Sequence, residues 1–267
     1  MNVALPAGRL LLPAILSTFV LGAIAPAAAL AELTNGPLLG PGLRSRPAYD
    51  GSATQRTELV PVIRYFGEHL FARSTQGVLE GGARVRLAPG LHVGAQLAYE
   101  AGRKTDDSDF LKNRGMASVD DGASVGVHLE WDRQFGPMPV TLLGRVRQHT
   151  DSDRGAQADL RLSAGVFQKG PFAAGVFVQT TWANAKSTGS FYDVTPQAAA
   201  ASGLPAFAAG SGWLFASAGV LWSVDINPRW VVVGSVESRH LRGDAARSPL
   251  AAKTSNRYVS AGLAYRF

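Results

Sequence analysis

From Leu91 the odd positions Leu91, Val93, Ala95, Leu97 and Tyr99 are apolar, whereas His92, Gly94, Gln96, Ala98 and Glu100 are polar or small. Val125, Val127, Leu129 and Trp131 alternate in the same way with Ser124, Gly126, His128 and Glu130. Leu160, Leu162, Ala164 and Val166 do so with Asp159, Arg161, Ser163 and Gly165. Successive side chains on a strand point to opposite faces, so each segment carries one apolar face and one polar or small face. Strands are predicted at 37–46, 55–66, 69–75, 79–88, 91–102, 123–133, 138–149, 155–168, 171–183, 212–224, 229–240 and 255–267. The count is twelve, with ten as the alternative.

Period two suits a soluble sandwich with its apolar face inward, or a transmembrane barrel with that face toward lipid. Length favours the barrel, because most segments reach the nine to eleven residues that a tilted membrane strand needs. The connections agree. Tight, Gly-, Pro- or Asn-rich links at 66–68, 88–90, 134–137, 169–170 and 225–228 alternate with long ones at 47–54, 103–122, 150–154, 184–211 and 241–254. Only 76–78 is short on the long side. Such sorting belongs to outer-membrane barrels, with short periplasmic turns and long extracellular loops. Trp131, Trp182, Trp213, Trp222 and Trp230 all fall at strand ends, where aromatic girdles form. The fold class is therefore all-β: a transmembrane antiparallel β-barrel of the bacterial outer membrane.

With the apolar face outward, the strand phases send Arg84, Arg86, Glu100, Glu130, Arg145, Arg147, Asp159, Arg161, Glu237, Arg239 and Arg266 into the lumen. Leu97, Leu129, Val146, Leu162, Val176, Val220, Val232 and Leu263 face lipid. Charge on the lipid face costs about 2–4 kcal/mol at midplane for Arg, which explains a shared inward phase. Mixed signs predict an interior crossed by ion pairs, and the surplus of arginine would bias any open pore toward anions.

The 184–211 link is too apolar to hang free in water. Thr195 suits a helix cap, with Pro196 at the first position and Gly203 as the stop. Phe191, Tyr192, Leu204, Pro205 and Phe207 predict a segment folded onto the barrel mouth near Trp182 and Trp213, as a plug or lid.

Residues 1–31 read as a cleaved signal peptide, and 32–267 as the outer-membrane domain. Arg9 precedes an apolar stretch from Leu10 to Ala25, and Ala29-Leu30-Ala31 forms a small-x-small cleavage site. The 267-residue chain contains no Cys, which removes thiolate chemistry and cysteine-ligated metal. Its net charge of +6 is spread without a Lys/Arg block, so no nucleic-acid partner is expected. His149 and His240, with Asp151, Asp153 and Asp244 nearby, make no catalytic motif. The acids of 103–122 (Asp106, Asp107, Asp109, Asp120 and Asp121) match no calcium loop and have Arg103, Lys104, Lys112 and Arg114 beside them. No enzyme activity, cofactor or metal is expected.

Tyr192-Asp193-Val194-Thr195-Pro196 with Ser202-Gly203-Leu204-Pro205-Ala206 resembles the hallmark loop of the MipA/OmpV family, the MltA-interacting outer-membrane proteins. Further matching pieces are Gly102-Arg103 with Asp106-Asp107 and Asp109-Phe110-Leu111, then Leu241-Gly243-Asp244-Ala245-Ala246 with Ser248-Pro249, and the ending Ala261–Phe267. Tyr265 and the terminal Phe267 resemble the signal read by the barrel assembly machinery. The resemblance implies a non-enzymatic, monomeric barrel in contact with outer-membrane lipid and lipopolysaccharide. It further implies a scaffold for a murein hydrolase and synthase; a gated small-solute channel or an adhesin is the alternative.

Overall fold

The computed structural model describes residues 36–267. The expected signal peptide lies outside them. Twelve strands form one closed antiparallel barrel: β1 (Leu38–Pro47), β2 (Gln55–Phe66), β3 (Leu70–Thr75), β4 (Val78–Ala88), β5 (Leu91–Glu100), β6 (Gly122–Phe135), β7 (Met138–His149), β8 (Ala156–Lys169), β9 (Phe172–Ala183), β10 (Gly212–Asp225), β11 (Trp230–Leu241) and β12 (Ser255–Arg266). Each strand pairs with its sequence neighbours, and β12 closes on β1 from Leu38↔Arg266 to Ser45↔Val259. Closure removes the open sheet edges that hydrocarbon cannot satisfy. The β2–β3 ladder is the shortest, with three residue pairs.

Most boundaries fall within one residue of the sequence pattern, and two strand ends differ by two residues. β6 continues to Phe135, which pairs with Met138, so the turn shrinks to Gly136-Pro137. β5 stops at Glu100 because the Gly102 N–H donates to the Asp121 carboxylate and Arg103 bridges to Val119.

The wall is inverted relative to a soluble protein. Leu97 is 64% exposed on the outside, while Arg145 is 3% exposed within. Leu129, Val146, Leu162, Val176, Val220 and Leu263 are exposed on the same outward phase, and Val232 is partly so. At the turn end, Trp131 meets Phe135 edge-on and Trp230 meets Tyr265. Trp182 and Trp213 are exposed near the opposite end. A wall with apolar residues outside and aromatic rings at its ends matches a bilayer.

Apart from a small patch of Leu38, Val231 and Ala264, the buried apolar clusters lie in and under the long loops. Short helices build those loops: α1 (Asp109–Lys112), α2 (Ala185–Tyr192), α3 (Pro196–Ser202) and α4 (Gly243–Arg247).

Candidate functional site: a crossed lumen under a folded cap

Glu80 on β4 is the hub of the interior. Its carboxylate accepts from Arg73 on β3, from Arg145 on β7 at 3.0 Å and from Gln96 on β5 at 2.9 Å. Arg73 also donates to Glu130 on β6 at 2.6 Å, and Arg84 approaches Glu130 at 3.9 Å. Arg145 lies 3.4 Å from Asp159 on β8, which accepts from Arg147 at 2.7 Å and from Thr181 on β9 at 2.6 Å. Arg147 reaches Glu100 at 2.6 Å, which also takes the Ser124 hydroxyl. The web therefore runs from β3 to β9. It matches four arginines (Arg73, Arg84, Arg145 and Arg147) with four acids (Glu80, Glu100, Glu130 and Asp159). Buried charge at this density persists only when each group has several partners.

A second cluster sits on the facing wall. Arg239 donates to Asp50 at 2.8 Å and to Glu237 at 3.1 Å, and it stacks on Phe215 and Tyr258. Arg44 lies 5.1 Å from the same Tyr258 ring, and Arg46 donates to Glu58 at 2.7 Å. Arg161 is buried over the Phe177 ring, at 3.9 Å from its centroid. Arg86 is exposed, and Arg266 pairs with Asp225 at 2.6 Å beside the 226–229 turn; both stand at the periplasmic end, away from the web.

Sequence reasoning missed Arg73, Glu80, Arg44 and Asp50. Glu80 shares the parity of Arg84 and Arg86, so extending that register down β4 would have named it. Arg73 was hidden because Phe71 shares its inward face, making β3 apolar on both sides. Asp50 belongs to a loop, and only the fold brings it to Arg239.

Above the web, five loops make a cap. The α2 helix starts at Asn184, whose Oδ1 accepts the Ser187 N–H at 2.9 Å. Weak formers such as Gly189 and Thr188 kept this helix out of the sequence pattern; tertiary contacts hold it. The α3 helix starts at Thr195, whose hydroxyl accepts the Ala198 N–H at 3.2 Å, with Pro196 at its first position. Gly203 ends it at φ +74°, a left-handed conformation that costs glycine little. Val194 and Phe207 then pair through two backbone bonds of 2.9 Å.

Tyr192 is buried with Leu214, Phe215, Leu241 and Ala183, with Phe191 and Phe207 against them. Val194 joins Tyr49, Leu111, Met116 and Leu250, and Leu204 packs on this second cluster. The contacts thus fall on the inward ends of β9 and β10, at Ala183, Leu214 and Phe215. Trp182 and Trp213 point outward, where lipid rather than the loop meets them. Pro205 is exposed, as are Thr195 and Pro196.

Polar bonds stitch the cap. The Tyr49 hydroxyl donates to the Leu250 carbonyl at 2.8 Å, and the Tyr192 hydroxyl to the Asp50 carbonyl at 3.0 Å. Ser248 donates to the Tyr192 carbonyl at 2.6 Å, while Arg103 donates to the carbonyls of Phe191 and Ala117. Burial pushes the Tyr49 hydroxyl up to about 12, against the pull of Arg103 and Arg114. It raises Tyr192 further, with help from Asp50. Both phenols stay protonated donors at any physiological pH.

Three of the five acids of the 103–122 loop have a cationic neighbour. Asp107 pairs with Arg56, Asp106 lies 3.8 Å from Lys112, and Asp121 takes the Gly102 N–H at 2.7 Å with Lys104 at 3.4 Å. The one metal-capable group among the described residues is His92, Glu130 and Asp132 inside the barrel. Arg73 already holds Glu130, and Thr141 donates to Asp132, so these groups serve the web. The rim histidines do not converge on a reaction centre. His149 Nδ1 accepts the Asp151 N–H at 3.0 Å, His240 is exposed, and Asp244 holds Gly210 and Arg247.

A twelve-stranded closed barrel with lipid-facing aliphatics, polar lumen, short turns at one end and folded loops at the other is an outer-membrane β-barrel. Residues 39–267 match the family described as MltA-interacting protein MipA. The chain belongs to that family. No curated protein sequence matches it. Among solved structures it is similar to an outer membrane channel from Pseudomonas putida F1, at 12% identity and a TM-score of 0.51, over 91% of this chain and 100% of that one. LpxR from Salmonella typhimurium matches at 9% identity and 0.44, over 85% and 100%, and the NanC porin at 6% and 0.39, over 86% and 100%. At such identities the likeness is one of fold.

Proposed function

We propose that this chain is a non-enzymatic outer-membrane platform, exported by way of a cleaved 1–31 leader. Its periplasmic rim would hold a murein hydrolase of the MltA kind and, through it, a peptidoglycan synthase. The observation that carries this reading is the filled barrel. A charge web crosses the lumen and a folded cap covers its outer end, so the rims are the working surfaces. The family's description, interaction with MltA, directs attention to the periplasmic one.

That rim consists of short turns, so its contact with a partner is shallow. Ile226 is an exposed apolar side chain there and would anchor it. One chain closes its own barrel, and the protein would work as a monomer among outer-membrane lipid and lipopolysaccharide. The C-terminal pair Tyr265 and Phe267 would serve the assembly machinery.

The alternative, an anion-favouring channel gated by 184–211, is poorly served by a web whose four arginines meet four acids. Pull-down of the detergent-solubilised barrel with murein hydrolases and synthases tests the platform. Enrichment that Ile226→Glu reduces several-fold is expected. No enrichment over an unrelated barrel of similar size would sink the reading.

A further inference from the structure

We propose that the wall carries a lateral port between β2 and the β3–β4 hairpin, where a single-chain anionic amphiphile from the outer leaflet inserts. Its acyl chain would lie in the port and its head in the lumen. This proposal is independent of the platform reading, since it concerns the outer half of the wall rather than the periplasmic rim.

The seam is the first observation. β2 has twelve residues and pairs with β1 along ten of them. On its other side it pairs with β3 only at Arg64↔Arg73, Tyr65↔Ala72 and Phe66↔Phe71. The β3–β4 hairpin turns back at Gln76 and Gly77, both with positive φ (+53° and +85°), the conformation of a tight two-residue hairpin. Continuing the register sets Pro61 opposite Gln76, so 55–60 extend beyond the hairpin tip. Among the described residues no strand pairs with that edge.

The chemistry of the edge fits an opening. The Ile63 N–H faces β3 and donates to the Ser74 hydroxyl at 3.0 Å, in place of a ladder carbonyl. N–H groups on one side of a strand recur every second residue. Pro61 therefore occupies the next position that would aim an N–H into the seam, and proline has none to leave unsatisfied. An unpaired donor in hydrocarbon costs several kcal/mol, and Pro61 removes the one nearest the paired end, while the Leu59 and Thr57 N–H groups lie higher on the same edge.

The cavity is the second observation. A space of about 290 Å³ is lined both by seam residues (Val60, Pro61, Ile63 and Val78) and by the interior residues Arg161 and Phe177. It thus joins lumen to wall. Arg44, Arg64, Arg73 and Arg161 line it with Glu130 and Glu237; Arg73 is already held by Glu80 and Glu130, so an anionic head would meet Arg44, which approaches Glu58 only at 3.9 Å. Arg44 stands at the hairpin tip, where a Cβ on Gly77 would collide with its guanidinium. It also lines the smaller cavity beneath the cap.

Height selects the leaflet. Pro61 lies five residues above Phe66, roughly 16 Å along a strand at about 3.3 Å per residue. Leu59 next to it is 78% exposed on the lipid side. The ion pair of Arg56 with Asp107 ties the 103–121 loop across the top. The port therefore lies beneath that loop and faces the outer half of the bilayer. An apolar mouth continuous with lipid, leading to an arginine-rich interior, selects one acyl chain with a carboxylate or phosphate head.

The test uses the full barrel in phospholipid vesicles and dodecanoic acid carrying a diazirine at its chain end. Photolabelling should concentrate on 60–63 and 78–79, and the neutral dodecanol analogue should label at least three-fold less. The chain has no Cys, so Pro61→Cys with Gln76→Cys can staple the seam. Oxidation should cut labelling at least five-fold, and reduction should restore it. If the staple does not form, Val60→Trp, enlarging an inward side chain that lines the cavity, should have the same effect. Labels spread evenly over Leu97, Leu129 and Leu162, or unaffected by both closures, would overturn the port. Equal labelling by the alcohol would overturn the anionic head.

Discussion

Arg145 on β7 donates from Nη1 to both carboxylate oxygens of Glu80 on β4, at 3.0 and 3.1 Å, although β5 and β6 lie between them in the wall. Strands stand about 4.8 Å apart, so the two meet across the lumen and not along the sheet. Arg73 contacts the same carboxylate, which places one acid between two buried cations.

Removing that acid should be costly. Glu80→Gln is expected to destabilise the barrel by about 3–5 kcal/mol, because two desolvated guanidiniums lose their shared counter-charge. The double variant Glu80→Met with Arg145→Met should lose less than the sum of the single ones. Guanidinium unfolding in detergent measures both; an additive result would mean that the pair is not coupled.

Deleting 191–207 should weaken the cap without opening a pore. It strips Tyr192, Val194, Leu204 and Phe207 from the clusters around Tyr49, Leu111 and Leu250. At about 1.5–3 kcal/mol per fully buried apolar side chain, the four give about 6–12 kcal/mol, an upper bound because Leu204 and Phe207 are only partly buried. The web below still crosses the lumen, so planar-bilayer conductance should match the intact protein. Discrete openings in the deletion variant would contradict this and favour a gate.

Asp121 gives a pH signature. The Gly102 N–H, with Lys104 assisting against a small burial penalty, holds its carboxyl below the usual 3.8. A depressed folded pKa contributes stability above the unfolded value and loses it as pH falls through the folded one. Asp121→Asn should therefore lower the thermal midpoint at pH 7, and the difference should close below about pH 4. A difference constant from pH 7 to pH 3 would show that the charge is irrelevant.

Phe267 is 66% exposed and stacks on Tyr265, with ring centroids 6.2 Å apart. So exposed a ring contributes little to the finished fold. Phe267→Ala should reduce the yield of assembled barrel several-fold while shifting its unfolding midpoint by less than about 1 kcal/mol, the scale of an aromatic pair. Equal losses in yield and midpoint would assign the ring to stability instead.

Strand positions were legible because period two is a local property. Leu91 to Tyr99 state their faces without reference to anything distant, and a one-residue slip would expose every Leu to the lumen. The α3 helix was legible for a similar reason: Thr195, Pro196 and Gly203 act within one turn of it. By contrast α2 carries Gly189 amid Ser and Thr, and its order comes from neighbours far along the chain.

The chain alone determined which residues alternate, where they turn, and thus a barrel with charged inner faces. It also marked 184–211 as a folded segment. Only the tertiary structure decided who meets whom. Glu80 finds Arg145 across 65 positions, and Arg239 finds Asp50 across 189, because closing twelve tilted strands brings distant inward faces to one axis. The same closure sets where the wall is incomplete. The hairpin tip at Gln76-Gly77 looks like any tight turn in sequence, and becomes a seam only when β2 runs past it. Alternation is written residue by residue, whereas chords and gaps arise from shear and strand length summed around the whole barrel.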